Sequence, residues 1–167
     1  MPNHRADLNT KTRELQRADE AQECARFMAN SEPWVTLRRS YDDSIKMLTD
    51  PTREVYLAVV EEEIVGFVIL QMTGAFVGYI QTVGAVPERR NRGVGTNLIR
   101  FAEKRIFREA PNVFISVSSF NRRTERLYRR LGYEVVGELR DHAVTGHSET
   151  LPRKTIAPLS EFRDSQR

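Results

Sequence analysis

The sequence predicts an α/β protein with a mixed central sheet of roughly six to seven strands, flanked by about four helices. Two observations support this fold class. Three apolar segments between residues 55 and 86 are separated by short turns, which predicts an antiparallel meander. An amphipathic helix then precedes the next apolar segment, and a crossover of that length makes the strands on either side of it parallel.

Local signals place the individual elements. Asp19 is a suitable N-cap for the first helix, and Pro51 limits the second. The glutamates at 61–63 suit a hairpin tip, and Gly132 stops the last predicted helix. In chain order we expect an edge strand over 12–17, helices over 19–29 and 41–48, strands over 55–60, 64–72 and 79–86, a helix from 94, a strand over 112–118, a helix over 122–131, and strands over 133–140 and 150–156.

The composition is that of one soluble domain. The chain has 167 residues, of which 40% are hydrophobic and 29% charged, and this length can bury a sizeable core. We expect a disordered N-terminus over 1–12, a single domain over 13–157 and a polar tail over 158–167. Cys24 is the only cysteine, and it falls on the apolar face of the first helix, where it acts as a small buried hydrophobic residue.

Several function classes are disfavoured. One cysteine and three scattered histidines give no metal-ligand spacing, so we expect no metal. No apolar signal core or membrane-spanning run is present, so we expect a cytoplasmic protein that is not membrane-bound. The net charge is +3, and arginines are clustered near residues 90, 123 and 130. No aromatic platform accompanies them, which argues against nucleic acid as a partner.

A basic, glycine-containing loop joins the third meander strand to the amphipathic helix. It reads Arg90-Asn91-Arg92-Gly93-Val94-Gly95 and is followed by Thr96. Unpaired amides at a helix start, the positive end of the helix dipole and two glycines suit a phosphate or pyrophosphate. The pattern matches neither a nucleoside-triphosphate loop nor a dinucleotide fingerprint. Taken alone, it is more typical of a tight strand-to-helix turn with solvent-exposed arginines.

A second motif changes that interpretation. Asn121-x-x-Thr124-x-x-Leu127-Tyr128-x-x-Leu131-Gly132-Tyr133 follows downstream. Together, in this order, the two motifs resemble those of the GNAT superfamily of N-acetyltransferases, over roughly residues 54–156. The family usually has alanine at position 124 and often phenylalanine at position 133. The resemblance implies a GNAT-like fold in which two splayed parallel strands hold acetyl-CoA as a cosubstrate.

The resemblance also implies how the cosubstrate is held. The pyrophosphate would bind the loop residues 90–96, and the pantetheine arm would lie along Val83, Gly84 and Ala85 like an added strand. Gly84 suits a bulge or a close approach. A backbone N–H of this segment would polarise the carbonyl. Asn121 has an ordinary role as a helix N-cap, and the matching asparagine of the family also contacts the cofactor.

The sequence indicates one proton donor but leaves several candidates for the base. Without the family pattern, Tyr128 would be interpreted as an ordinary core tyrosine. The pattern favours a role as general acid toward the leaving thiolate. Some family members carry a basic glutamate where this chain has Ser116, which cannot act as a base. Glu32, His142, His147 and Glu149 therefore remain as candidates.

The walls of the acceptor site come from two segments in the family. The first contains Glu32 and Trp34, and for Trp34 we favour a structural role in the core. The second is the loop over 141–149, whose two histidines would singly pass for surface residues without a function.

The predicted function is an acetyl-CoA-dependent N-acetyltransferase that transfers an acetyl group to a small-molecule or peptide primary amine by direct attack in a ternary complex. A non-catalytic acyl-CoA-binding regulatory module is the alternative, because the family's glutamate is missing. The acceptor amine and the oligomeric state, which could be a homodimer, stay open.

Overall fold

The computed structural model describes residues 9–165. The expectation of disorder over 1–12 lies largely outside the described residues, although residues 11 and 12 belong to the first strand. In residues 9–165 no helix combines the length and apolar character that crossing a membrane requires. The helices are α1 Ala18–Ala29, α2 Tyr41–Thr49, α3 Val94–Ile106, α4 Arg122–Arg130 and α5 Leu159–Ser165. The strands are β1 Lys11–Glu14, β2 Arg53–Val60, β3 Glu63–Gln71, β4 Tyr79–Ala85, β5 Asn112–Ile115, β6 Val117–Ser118, β7 Glu134–Leu139 and β8 Glu149–Thr155.

The mixed α/β fold is confirmed, with an eight-stranded sheet. Strands β2 to β4 form the predicted antiparallel meander, β1 pairs with β2 as the expected edge strand, and β5 pairs with β4 in parallel. β5 and β6 lie in line along one edge of β8, and β7 pairs with β8. The single strand expected over 112–118 is thus broken at Ser116. The short helix α5 occupies the segment that the sequence suggested as a polar tail.

Two buried clusters cover the opposite faces of the sheet. Tyr56 and Ala58 belong to the cluster beneath α3 and α4, whereas Leu57 and Val59 belong to the cluster beneath α1 and α2. This assignment follows from strand geometry, since successive side chains point to opposite faces. The sheet is therefore the middle layer of three.

Helix α3 is fixed by the apolar stripe that its sequence predicted. Val94, Leu98, Ala102 and Ile106 are each at most 1% exposed and pack in the cluster with β3 and β4. Burial of each large aliphatic side chain stabilises the fold by about 1.5–3 kcal/mol. This packing holds the N-terminus of α3 rigidly at the end of β4.

Trp34 lies in the core on the other face, in agreement with the structural role favoured for it. Its ring is 5% exposed and contacts the rings of Phe27 and Phe67 at centroid distances of 5.6 and 6.1 Å. It also covers Gly84, where an added Cβ would lie 2.7 Å from the indole. Cys24 is buried in the same cluster, and burial raises the pKa of its thiol to about 12. A thiol held in this state is a poor nucleophile.

Candidate active site

The parallel strands β4 and β5 separate soon after they meet. They pair only at Tyr79 with Phe114 and at Ile80 with Ile115. Beyond these pairs β4 continues to Ala85, while the other strand breaks at Ser116 and continues as β6 along β8. Over this stretch the facing edge of β4 pairs with no strand among residues 9–165. A wedge-shaped opening therefore separates β4 from β6, with unpaired backbone groups along one side.

The bulge in β4 lies at Gln81, not at Gly84. The register with β3 passes from Ile80 opposite Leu70 to Thr82 opposite Ile69, so Gln81 is the extra residue. The bulge turns the strand at the mouth of the opening. At Gly84 the close neighbour is the core residue Trp34, which leaves no room for a Cβ.

The glycine loop brings a helix N-terminus to the end of this opening. Asn91 and Gly93 adopt left-handed backbone conformations, with φ of 64° and 86°. The amide of Asn97 donates to the carbonyl of Gly93 at 2.9 Å, so the amides of residues 94–96 precede the first intrahelical bond. A Cβ added at Gly93 or Gly95 would meet nothing within 4 Å. The loop is an open cradle with N–H groups and a helix dipole directed into it.

The two arginines of the loop are available to an anion. Arg90 and Arg92 are exposed, and within residues 9–165 the side chain of Arg90 makes one long hydrogen bond, from Nε to the carbonyl of Ala85 at 3.4 Å. Their charges add to the positive end of the helix dipole.

Helix α4 carries a hydroxyl group with no partner. Asn121 caps the helix through its Oδ1, which accepts from the amide of Thr124 at 3.3 Å. Tyr128 is 1% exposed and shares a buried cluster with Ile80, Ile115 and Val117, which flank the opening. Its hydroxyl has no hydrogen-bond partner among residues 9–165. Burial raises the pKa of Tyr128, so the hydroxyl stays protonated and can only be a donor to an anion.

One of the four candidate bases, Glu149, lies beside Ser116. Glu149, the first residue of β8, is 6% exposed and lies opposite Ser118. Its carboxylate accepts hydrogen bonds from the hydroxyls of Ser116 and, at 3.4 Å, Ser118. The hydroxyl of Tyr79 lies near Ser116, and burial raises the pKa of Tyr79. The break between β5 and β6 thus holds a buried polar group beside the wedge.

The sequence comparisons agree with this geometry. The model of the Acetyltransferase (GNAT) family matches residues 15–133. This chain belongs to that family. No curated protein matches the sequence.

Solved GNAT structures share the fold at low sequence identity. A Desulfovibrio desulfuricans protein assigned to the GNAT family superposes with a TM-score of 0.72 at 16% identity, covering 89% of this chain and 99% of the other. Arabidopsis thaliana NAA60, solved with a bisubstrate analogue, gives 0.68 at 19% identity, with 89% and 98% covered. The aminoglycoside 6'-N-acetyltransferase from Enterococcus faecium gives 0.65 at 18% identity, also with 89% and 98% covered. At these identities the likeness concerns the fold.

The features of the opening fit an acyl-CoA. The bare cradle at Gly93 and Gly95 suits a pyrophosphate, the unpaired edge of β4 suits an extended amide-bearing arm, and the isolated hydroxyl of Tyr128 suits a thiolate. No group of three or more histidine, cysteine, aspartate or glutamate side chains capable of holding a metal occurs in residues 9–165.

In residues 9–165 no hydrogen bond or ion pair joins the other candidates from the sequence to the carboxylate of Glu149. Glu32 is exposed, and its Oε2 accepts from the amide of Thr36 at 3.2 Å, so it closes a turn after α1. His142 is exposed in the loop between β7 and β8. His147 is half-buried against the ring of Phe120, at a centroid distance of 5.2 Å.

Two features of the site were not predicted from the sequence. Tyr79 was expected only to begin a strand, and Gln81 was not expected to form a bulge. The alternation of Ser116 and Ser118 in a predicted strand does indicate a polar site, because two hydroxyls on one face need a polar partner.

Proposed function

We propose that this GNAT protein is an acetyl-CoA-dependent N-acetyltransferase that acts on a primary amine by direct attack in a ternary complex. The observation that supports this most strongly is the wedge between β4 and β6, which ends at the N-terminus of α3. When bound there, acetyl-CoA supplies an activated thioester. We further propose a cytoplasmic location and leave a homodimer as an option for the assembly.

Residues of two neighbouring segments would hold the cosubstrate. Backbone amides and arginines of residues 90–96 receive the pyrophosphate. Backbone groups of Val83, Gly84 and Ala85 pair with the pantetheine arm, and one of their N–H groups polarises the carbonyl; loss of such a donor costs about 3 kcal/mol. Asn121 contacts the cosubstrate from the N-cap of α4.

Tyr128 is proposed as the general acid. Its hydroxyl is protonated at every physiological pH, because burial raises its pKa. The same desolvation also disfavours a free thiolate, which makes the sulfur a stronger proton acceptor than it is in water. Tyr128 can therefore protonate the leaving sulfur and recover its proton afterwards.

Glu149 is proposed as the general base, in preference to Glu32 and His142. Its carboxylate is buried beside Ser116, the position at which some family members carry a glutamate. A carboxylate from the adjacent strand would thus replace the missing side chain. Glu149 takes the proton of the amine as the C–N bond forms and the C–S bond breaks.

The alternative, an acyl-CoA-binding module without turnover, depended on the absent glutamate. With Glu149 beside Ser116 that argument loses its basis, and the two functions are separated by one assay. Thiol release is followed with acetyl-CoA and a panel of amino acids, aminoglycosides, polyamines and peptides. The enzyme releases thiol only when its amine is present; a module binds acetyl-CoA and releases none.

Gly95→Asp tests the cosubstrate site within the same assay. A Cβ added at Gly95 meets nothing within 4 Å, so the fold should be retained. A carboxylate among phosphates costs several kcal/mol, so affinity for acetyl-CoA should fall by roughly 100-fold or more. Gly137→Asp on β7 is the control, since it adds the same charge at a glycine with equally free space. Equal affinity of both variants in calorimetry would place the cosubstrate elsewhere.

A further inference from the structure

Arg39 is held over the acceptor side of β4. Its amide donates to the carbonyl of Trp34 at 3.0 Å, which fixes the backbone after α1. Its Nη1 lies 3.7 Å from Sδ of Met47, and that sulfur lies 3.9 Å from Oγ1 of Thr82, next to the bulge in β4. The guanidinium therefore lies on the sheet face that carries Trp34 and Gly84, beside the mouth of the wedge.

The charge of Arg39 has no direct counterpart. Among residues 9–165 no carboxylate comes within 4.0 Å of its guanidinium. Asp43, a neighbouring carboxylate, accepts from the amide and hydroxyl of Ser40 at 3.1 and 2.7 Å and caps α2. The side chain is only partly exposed, and burial lowers its pKa. A half-buried guanidinium whose one polar contact is a sulfur atom has N–H donors to spare.

Arg39 and Glu149 lie on the same face of the sheet. Val117 packs in the cluster beneath α3 and α4, so the next residue, Ser118, which donates to Glu149, points to the opposite face, where Arg39 contacts Met47. The carboxylate of Glu149 is already bonded to Ser116 and Ser118, which keeps it in place. The cleft thus presents a fixed cation and a fixed anion on the same side of the wedge.

This arrangement is complementary to a zwitterion. We propose that Arg39 binds the carboxylate of the acceptor while Glu149 receives its amine, so that the acceptor is a small zwitterionic amine of the α-amino acid class. The proposal rests on the proposed function and deepens it. A guanidinium suits a planar carboxylate through two parallel hydrogen bonds. Polycationic amines are disfavoured, because each additional ammonium meets the charge of Arg39.

A merely electrostatic role for Arg39 makes a different prediction. If the cation acted only through its electric field on the reacting groups, its loss would slow the reaction of every amine to the same extent. If it binds the acceptor, its loss affects only acceptors that carry a carboxylate.

The experiment compares each standard L-amino acid with its own amide. Thiol release is measured at saturating acetyl-CoA for the wild type, Arg39→Gln, Arg39→Lys and the control Arg38→Gln, whose side chain is exposed. The amide has an α-amino pKa of about 8 and therefore more free amine at neutral pH. A preference for the acid cannot come from basicity.

For the best acceptor we expect the wild-type kcat/KM of the acid to exceed that of the amide by roughly 10- to 100-fold. Arg39→Gln should abolish the preference and leave the amide within about threefold of wild type, Arg39→Lys should retain part of it, and Arg38→Gln all of it. A wild type that prefers amides or polyamines overturns the inference without any variant. Equal losses for acid and amide in Arg39→Gln also overturn it.

A second experiment distinguishes failure of the proposed acetyltransferase function from failure of the Arg39 subsite. If no amine releases thiol, the same amino acids are titrated calorimetrically into the protein saturated with CoA. Saturable binding that weakens at least tenfold in Arg39→Gln supports the subsite on a protein without turnover. Absence of such binding overturns the subsite as well.

Discussion

The Tyr128→Phe variant separates a catalytic role for Tyr128 from a structural one. The substitution keeps the ring, its place in the cluster and its edge contact with Tyr133 at 5.3 Å. It removes only a buried hydroxyl that has no hydrogen-bond partner among residues 9–165. A desolvated, unpaired hydroxyl costs about 1–2 kcal/mol, so the variant should be as stable as the wild type or more stable by up to that amount. The midpoint of urea denaturation at unchanged slope measures this difference.

The rate of acetyl transfer by Tyr128→Phe should fall even though its stability does not. Loss of a general acid slows the chemical step by roughly 100-fold or more. Single-turnover measurements of thiol release give this rate without interference from product release. Affinity for acetyl-CoA should stay within a few fold of wild type, because the pyrophosphate and pantetheine contacts lie on other segments.

Tyr133→Phe is the matched control. The side chain is 3% exposed, packs in the same cluster, and stands where the family often has phenylalanine. We expect an unchanged single-turnover rate for this variant. A Tyr128→Phe enzyme with full rate, or one that loses stability with its rate preserved, would refute the general-acid assignment.

Three further predictions concern other side chains. Glu149→Gln should lower the rate of thiol release by roughly 100-fold at neutral pH. The rate should recover toward that of the wild type as the pH approaches the amine pKa of about 10, because the free amine needs no base. A loss that is constant with pH would exclude Glu149 as the base. Glu20, held by Arg13 at 2.6 Å and by two backbone amides, has its pKa lowered to about 2 from 4.5, so its stabilisation is present above pH 4.5 and is lost as the pH falls toward 2. Glu20→Gln should therefore cost about 1–3 kcal/mol at pH 7 and flatten the acid side of the pH–stability curve, and an unchanged curve would contradict this linkage. Cys24→Ala should retain full turnover, whereas an inactive but folded variant would contradict the direct-attack mechanism.

The fold could be predicted largely because its signals are local. The stripe Val94, Leu98, Ala102 and Ile106 marked one face of α3, and all four residues are buried. The strand expected over 79–86 is observed as Tyr79–Ala85. Turn residues and hydrophobic periodicity act over short distances, so these elements are recognisable before any tertiary contact is known.

The details that shape the site depend on long-range contacts. The strand expected over 112–118 breaks at Ser116, whose hydroxyl binds a carboxylate 33 residues away on β8. The bulge at Gln81 is a matter of register between β3 and β4, and neither strand marks it in its own sequence. For the same reason Glu149 could be proposed only as one base among four.

The position of Arg39 is the part of the site that the sequence predicts least. Its guanidinium contacts Met47 on α2, and Met47 in turn contacts Thr82 on β4, so no local pattern in the chain places the guanidinium near β4. Only the packing of α1 and α2 on the sheet does so.

A crystal structure of the complex with CoA tests the central claim most directly. The pantetheine arm should lie in the wedge along residues 81–85, with the pyrophosphate on the amides of 91–96 and the sulfur within hydrogen-bonding distance of the Tyr128 hydroxyl. The side chain of Glu149 should lie on the other side of that sulfur from Tyr128, in the acceptor cleft. A pantetheine arm outside the wedge, or a sulfur out of reach of Tyr128, would contradict the account.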